Sequence, residues 1–291
     1  MTIQPAIAKS ERAPRHSLWQ HSNVASFTST PQFDPEIIPI PHIWQGKKGG
    51  KSEKVKEFDL EARARLDSEV VSKTNAFVKE RAAAGKPFFV YVALTQIHPP
   101  FLPQPGFVGK SKSGSYADIQ MQVDHNIGSI LDAISEAGAA DDTLVILTGD
   151  NAAGEQSEEW EGEGGSNGPW RGGLSTAYEG GTRTPCMVRW PGNIPAGRVT
   201  DGILSDLDWF TTIAHMIGEQ ERIPKDRPYD GINQADFLLG EREKSNREYI
   251  VTYVGDRVFA VKWRSLKVHL SLIHISEPTR HTSQTRMAAS G

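Results

Sequence analysis

The chain has one cysteine, Cys186. A lone thiol excludes an intrachain disulfide framework and any zinc site built from several cysteines. Long apolar runs are missing too. The longest, Phe88 to Leu94 (FFVYVAL), falls far short of the ~20 residues that a membrane-spanning helix needs. The opening residues, MTIQPAIAKSERAPRHS, contain no apolar stretch long enough for a secretory signal. A basic excess is absent: Lys and Arg total 32 against 36 Asp and Glu, for a net charge of −4. A general binder of the nucleic-acid backbone needs surplus cations to displace counterions, so that class is disfavoured. No internal repeat is visible. What is present is 37% hydrophobic and 8% aromatic residues over 291 positions. That is enough for the core of one large domain, or one domain with a small appendage, and too apolar for a disordered chain.

Residues 1–58 lack a sustained period and are expected to be an irregular or linker region. They end in GKKGGKSEKVKEFD, whose five lysines read as a solvated loop in preference to a site for an anionic partner. From Leu60 to Ala84 the spacing of Leu66, Val70, Phe77 and Val78 predicts a helix, closed by Gly85 and Pro87. Phe88–Leu94 then reads as a buried strand, apolar on both faces and inside a covered sheet. Ser115 opens a second helix with a capping-box variant, Ser115 to Asp118. Its apolar stripe is Ile119, Val123, Ile127, Ile130, Leu131 and Ile134, and Gly138 stands where a left-handed cap belongs.

Thr143–Thr148 reads as a second buried strand, Met187–Trp190 as a third, and Asp208–Ile217 as a helix. Strands alternating with helices predict an α/β fold with a mainly parallel sheet, here over residues 59–244. Tyr249–Tyr253 and Val258–Lys262, joined by Val254-Gly-Asp-Arg257, read as a hairpin that starts a small antiparallel subdomain over 245–270. The tail, residues 271–291, has no core-forming pattern and reads like a tag or adapter-derived extension, outside the fold.

In open α/β sheets ligands bind beyond the carboxyl ends of strands. The strand 88–94 runs into Thr95-Gln-Ile-His98-Pro-Pro100, and the strand 143–148 into Gly149-Asp150-Asn151. Asp150 and Asn151 offer oxygens suited to a hard cation such as Ca²⁺ or Mg²⁺. His98 can donate to an anion or act as a general acid. Taken singly, each signal has a plainer reading. Asp-Asn after a strand makes turns and caps, a histidine before Pro-Pro is often a loop residue, and Glu179-Gly-Gly reads as a turn. Glu155, Glu158, Glu159, Glu161 and Glu163 read as a solvated loop.

Three blocks in fixed order carry more information. The first is Pro87-Phe-Phe-Val-Tyr-Val leading to Thr95-Gln-Ile-His98-Pro-Pro100. The second runs from Asp141-Asp-Thr-Leu-Val-Ile-Leu-Thr to Gly149-Asp150-Asn151. The third is Tyr178-Glu-Gly-Gly-Thr-Arg183-Thr-Pro185 followed by Arg189-Trp-Pro-Gly192. Together they resemble the sulfatase family, in the arylsulfatase branch of the alkaline-phosphatase-like superfamily, over about residues 55–270. Lys244-Ser-Asn-Arg247-Glu and Ala260-Val-Lys-Trp263 resemble the start of that family's small C-terminal subdomain.

The resemblance implies an α/β, alkaline-phosphatase-like three-layer sandwich and calcium-assisted hydrolysis of sulfate esters on a sulfated small molecule or glycan. It implies Asp150 and Asn151 as calcium ligands, and His98 as the residue that contacts the sulfate or assists the leaving group. Calcium would offset charge on the sulfuryl oxygens, and imidazole would stabilise the departing oxyanion.

The chain also departs from the pattern. The family's nucleophile is a formylglycine made in a C/S-x-P-x-R motif. Cys186-Met-Val-Arg189 lacks the proline and heads a strand, where a structural cysteine is expected. Ser276-Glu-Pro278-Thr-Arg280 fits the string but lies in the tail, so no nucleophile is assigned. Asp141-Asp142 precedes a strand and is read as a loop pair, not as the family's opening metal-ligand aspartates. The family's active-site lysine is replaced by Leu174, and Trp170-Arg171 offers an alternative cation. The expectation is the C-terminal part of a longer sulfatase, inactive alone. A phosphoester or phosphonate hydrolase of the same superfamily is the second reading, and a non-catalytic module that retains the fold is the third.

Overall fold

The computed structural model describes residues 42–47, 49–154 and 164–270. They fall into two compact units, the first taking in residues to Thr143, the second Leu144–Gly154 and the described residues from Ser166 onward. The Glu155–Glu163 loop and the tail with Ser276–Arg280 lie outside the described residues.

In the first unit, β1 (His42–Gln45) and β2 (Glu53–Glu57) form an antiparallel hairpin with a bulge between Ile43 and Trp44. The stretch expected to be irregular is therefore ordered at its end. Its lysines explain why: Lys54 covers the Trp44 ring at 5.6 Å, and Lys56 bonds Glu69 of the next helix at 2.5 Å. A charged strand hides its period from a hydrophobic count.

Helix α1 (Leu60–Ala83) starts at Asp59, whose carboxylate accepts the Ala62 N–H at 2.7 Å. Gly85, at φ +59, follows its end. Helix α2 (Ser115–Glu136) is capped differently from expectation. Gly114 holds the cap position at φ +92 with no side-chain bond, and Ser115 is already helical. Asp118 instead reaches back to accept the N–H groups of Gly109 and Ser111, at 2.6 and 2.8 Å, tying down the incoming loop. Gly138, at φ +67, closes α2 as expected. The two helices contact each other, and Leu66, Val70, Val78, Ile119, Ala133 and Ile134 on them are buried. Asn75 donates to Ser129, and Lys79 pairs with Glu136 at 2.7 Å.

Phe88–Leu94 belongs to no ladder and no regular element among the described residues. It is not covered on both faces: Phe89 is 73% and Tyr91 65% exposed. A strand needs a partner backbone, which local sequence does not specify.

In the second unit, β3 (Val145–Thr148) pairs antiparallel with β4 (Cys186–Arg189), Thr148 opposite Cys186. Between them lies the one-turn helix α3 (Glu179–Thr182). Strand β4 was expected to be buried, yet Cys186, Met187 and Arg189 are exposed, because β3 is its one ladder neighbour among the described residues. Helices α4 (Asp208–Met216) and α5 (Ala235–Leu239) follow, with a 3₁₀ turn at Gln220–Arg222 between them. The chain then forms a meander, β5 (Tyr249–Val254), β6 (Arg257–Trp263) and β7 (Leu266–His269), in the order β5-β6-β7. Gly255, at φ +63, opens the two-residue β5–β6 turn, as Gly-Asp predicts.

Asp208 is fully buried and accepts from Arg247 at 2.6–3.1 Å and from the Ile232 N–H at 2.7 Å. This joins α4 to the segment entering β5. Phe237 fills the space beside Gly202, where a Cβ would sit 2.5 Å from its ring. Every ladder among the described residues is antiparallel; the expected parallel sheet is not among them. No helix among them is long and apolar enough to cross a membrane.

Candidate active site

His98 belongs to the first unit. It ends a turn in which its N–H bonds the Thr95 carbonyl at 3.3 Å. Its side chain is exposed, and its Nδ1 lies 2.6 Å from the Pro99 carbonyl oxygen. A carbonyl only accepts, so Nδ1 carries the proton, and in the neutral ring Nε2 is the accepting nitrogen.

The turn is held by two residues of α1 that hydrophobic periodicity does not reveal. The Asp67 carboxylate accepts the Thr95 N–H at 2.9 and 3.1 Å, the Thr95 hydroxyl at 2.7 Å and the Gln96 N–H at 2.8 Å. Arg63 donates to Thr95 Oγ1 at 2.5 Å and to the Thr95 and His98 carbonyls at 2.9 Å each. Burial lowers the Arg63 pKa from its ordinary value, and the Asp67 charge opposes that shift. The signal in the sequence is two opposite charges four apart on the apolar side of a helix.

Asp150 and Asn151 stand on the exposed corner after β3, in the second unit. Gly149 N–H bonds the Pro185 carbonyl at 3.3 Å, and Thr148 Oγ1 bonds Asp206 at 3.2 Å. Beyond the corner, Asn167 accepts from the Ala153 N–H and donates to the Ala153 and Gly172 carbonyls, at 3.0–3.3 Å. Leu174 N–H bonds Ala153 O at 3.1 Å. The Asp150–Asn151 corner is thus knitted to the 167–174 segment.

That segment in turn packs on α3, which explains the Tyr-Glu-Gly-Gly block. Gly180 N–H bonds Arg171 O at 2.9 Å, and a Cβ on Gly180 would lie 2.0 Å from the Gly172 carbonyl. The glycines are not a turn signal here. They allow two backbones to touch.

Arg171 is exposed and stacks its guanidinium on Tyr178 at 4.2 Å; Arg183 does the same on Trp170 at 4.2 Å. Tyr178 lies 4.7 Å from the His269 ring. Glu179 binds Lys262, and Lys267 at 3.0 Å, joining α3 to the small sheet. Burial pushes the Glu179 carboxyl up, but hydrogen bonds and charge from the two lysines outweigh it and hold it below its ordinary value.

Cys186 is exposed at the head of β4. Partial desolvation of its sulfur, and after it the Asp206 charge, raise the thiol pKa, away from the thiolate a nucleophile needs. Asp141 and Asp142 form an exposed turn before β3, as the loop-pair reading expects.

The donor chemistry at Asp150 and Asn151 suits calcium, since both offer oxygen. Calcium takes six to eight oxygens, and among the described residues no group of three or more His, Cys, Asp or Glu could hold a metal ion. The corner fits part of a shell.

The sulfatase family model matches residues 14–219. Mouse steryl-sulfatase is 36% identical over 187 residues, which is 64% of this chain and 30% of that protein. Dog N-acetylgalactosamine-6-sulfatase is 37% identical over 193 residues, 66% of this chain and 36% of that protein. The chain therefore spans about a third of the length of these curated relatives. Among solved structures, the PsFucS1 sulfatase from Pseudoalteromonas sp. matches with a TM-score of 0.76 at 28% identity, covering 86% of this chain and 50% of that one. Ps i-CgsB, crystallised with k-i-k-neocarrahexaose, shares the fold at a TM-score of 0.64 and 19% identity, covering 94% of this chain and 60% of that one.

Proposed function

Since the chain belongs to the sulfatase family, whose curated members are enzymes, we propose that it carries part of the machinery for hydrolysing a sulfate ester. The observation that supports this reading is the family match itself, which takes in His98, Asp150 and Asn151 within one stretch. In this proposal the protonated His98 ring donates from Nε2 to the sulfuryl or leaving oxygen while Nδ1 stays on Pro99. Asp150 and Asn151 hold calcium, which when bound polarises the sulfuryl oxygens. Arg171, braced on Tyr178, adds positive charge for an anionic substrate. The substrate is a sulfated small molecule or a sulfated glycan, as the names of the steryl and N-acetylgalactosamine-6 relatives suggest.

No credible C/S-x-P-x-R motif lies in the 291 residues, so we assign the nucleophile to a part of the whole protein outside this chain. Without it the residual rate falls by orders of magnitude. A mainly parallel, three-layer alkaline-phosphatase-like fold for the whole protein belongs to the same proposal.

The test compares an aryl sulfate with the matching aryl phosphate as substrates of the whole protein that contains this chain. Sulfate is expected to be turned over with the higher kcat/KM. A preference for phosphate would overturn the assignment.

A further inference from the structure

Arg63 and Asp67 are charged, buried and outside the chemistry just proposed. Asp67 is 0% and Arg63 7% exposed. A charge withdrawn from water persists in a folded protein only where fixed partners replace its hydration. Here almost every partner lies in one turn. Asp67 takes the two successive N–H groups of Thr95 and Gln96, and Arg63 takes the carbonyls at both ends, Thr95 and His98. The Thr95 hydroxyl bridges them, accepting from Arg63 and donating to Asp67. The two residues stand one helical turn apart on a 24-residue helix, so the grip comes from a rigid element.

We propose that Arg63 and Asp67 are positioning residues that fix the His98 turn and thereby set the tautomer of its imidazole. With the His98 carbonyl pinned by Arg63, the ring keeps Nδ1 within 2.6 Å of the Pro99 carbonyl, which requires the proton on Nδ1. A neutral imidazole in water favours the proton on Nε2. The clamp reverses that preference. Lysine could not replace Arg63, because one ammonium cannot reproduce the planar fork that spans two carbonyls and a hydroxyl. The purpose assigned to the clamp rests on the sulfatase reading of His98; the clamp and tautomer stand on geometry alone.

The experiment uses the 291-residue chain with ¹⁵N-labelled histidine rings, read by long-range ¹H–¹⁵N spectra at a pH where His98 is neutral. The unaltered chain is expected to show His98 in the Nδ1–H form. Arg63→Gln and Asp67→Asn should shift it toward Nε2–H and speed amide exchange across Thr95–His98 by about tenfold or more, the mark of local opening. Arg63→Lys should not rescue either signal. Thr95→Val removes only the bridging hydroxyl; it should give a smaller change of the same sign, and it serves if the charged-site variants do not fold. Asn75→Ala, on the same helix, breaks the Ser129 bonds away from the turn and should leave both signals unchanged. An unchanged His98 tautomer and unchanged exchange in the folded variants would overturn the proposal, as would an equal response to Asn75→Ala. Inorganic sulfate titrated into the unaltered chain reads the other question. If the Nδ1–H form is present but sulfate leaves the His98 ring signals unmoved, the sulfate role fails and the clamp stands.

Discussion

Asp208 and Arg247 show what a single buried charge pair does in this chain. Removing one partner strands the other without water or a counter-charge, which typically costs about 3–5 kcal/mol. Arg247→Ala is therefore expected to lose stability on that scale in urea unfolding, far more than Arg264→Ala, whose partner Glu248 is on the surface. At Asp150, Asp150→Ala should abolish or greatly weaken calcium binding to the whole protein that contains this chain, measured by isothermal titration. Binding of equal strength in the variant would remove Asp150 from the metal site. That His98, Asp150 and Asn151 stand in turns just beyond apolar runs was legible, because each follows such a run and sits in a block with fixed neighbours. Arg63 and Asp67 were not, since charges on a helix default to solvent unless the partner turn is known. Ser115 misled for a related reason: the residue before it, Gly114, already occupies the cap, and Asp118 bonds backward into the loop instead of to its own helix end.

Among elements, α1, α2, α4 and the β5–β6 hairpin were readable from period, breakers and turn chemistry, all of which are local. Hairpin β1–β2 was hidden by its lysines. The Phe88–Leu94 run, read as a buried strand, has neither a ladder among the described residues nor cover on both faces, since both depend on distant backbone. The role of α3 also depends on distant residues, because Glu179 links the helix to β6 and β7 through Lys262 and Lys267. That link carries a pH signature. A carboxyl whose folded pKa lies below its ordinary 4.5 contributes stability above that value and loses it as pH falls through the folded pKa. The Tm of the parent should exceed that of Glu179→Gln near neutral pH, and the gap should close below pH 4.5. A gap that is constant or widens in acid would contradict the link.

For the whole molecule, the 88–94 segment, in no ladder among the described residues and with Phe89 and Tyr91 exposed, offers an apolar face for association. Light scattering of the 291-residue chain should show concentration-dependent association, reduced by Phe89→Lys with Tyr91→Lys; an unchanged profile would place the association elsewhere. The same chain should give no turnover of a chromogenic aryl sulfate. The most direct measurement is aryl sulfate hydrolysis by the whole protein with His98→Ala and Asp150→Ala introduced singly. Each is expected to lower kcat/KM by about 100-fold or more while Tm shifts by no more than about 2 °C. Parental turnover from either variant would contradict a sulfatase centre that works through these residues.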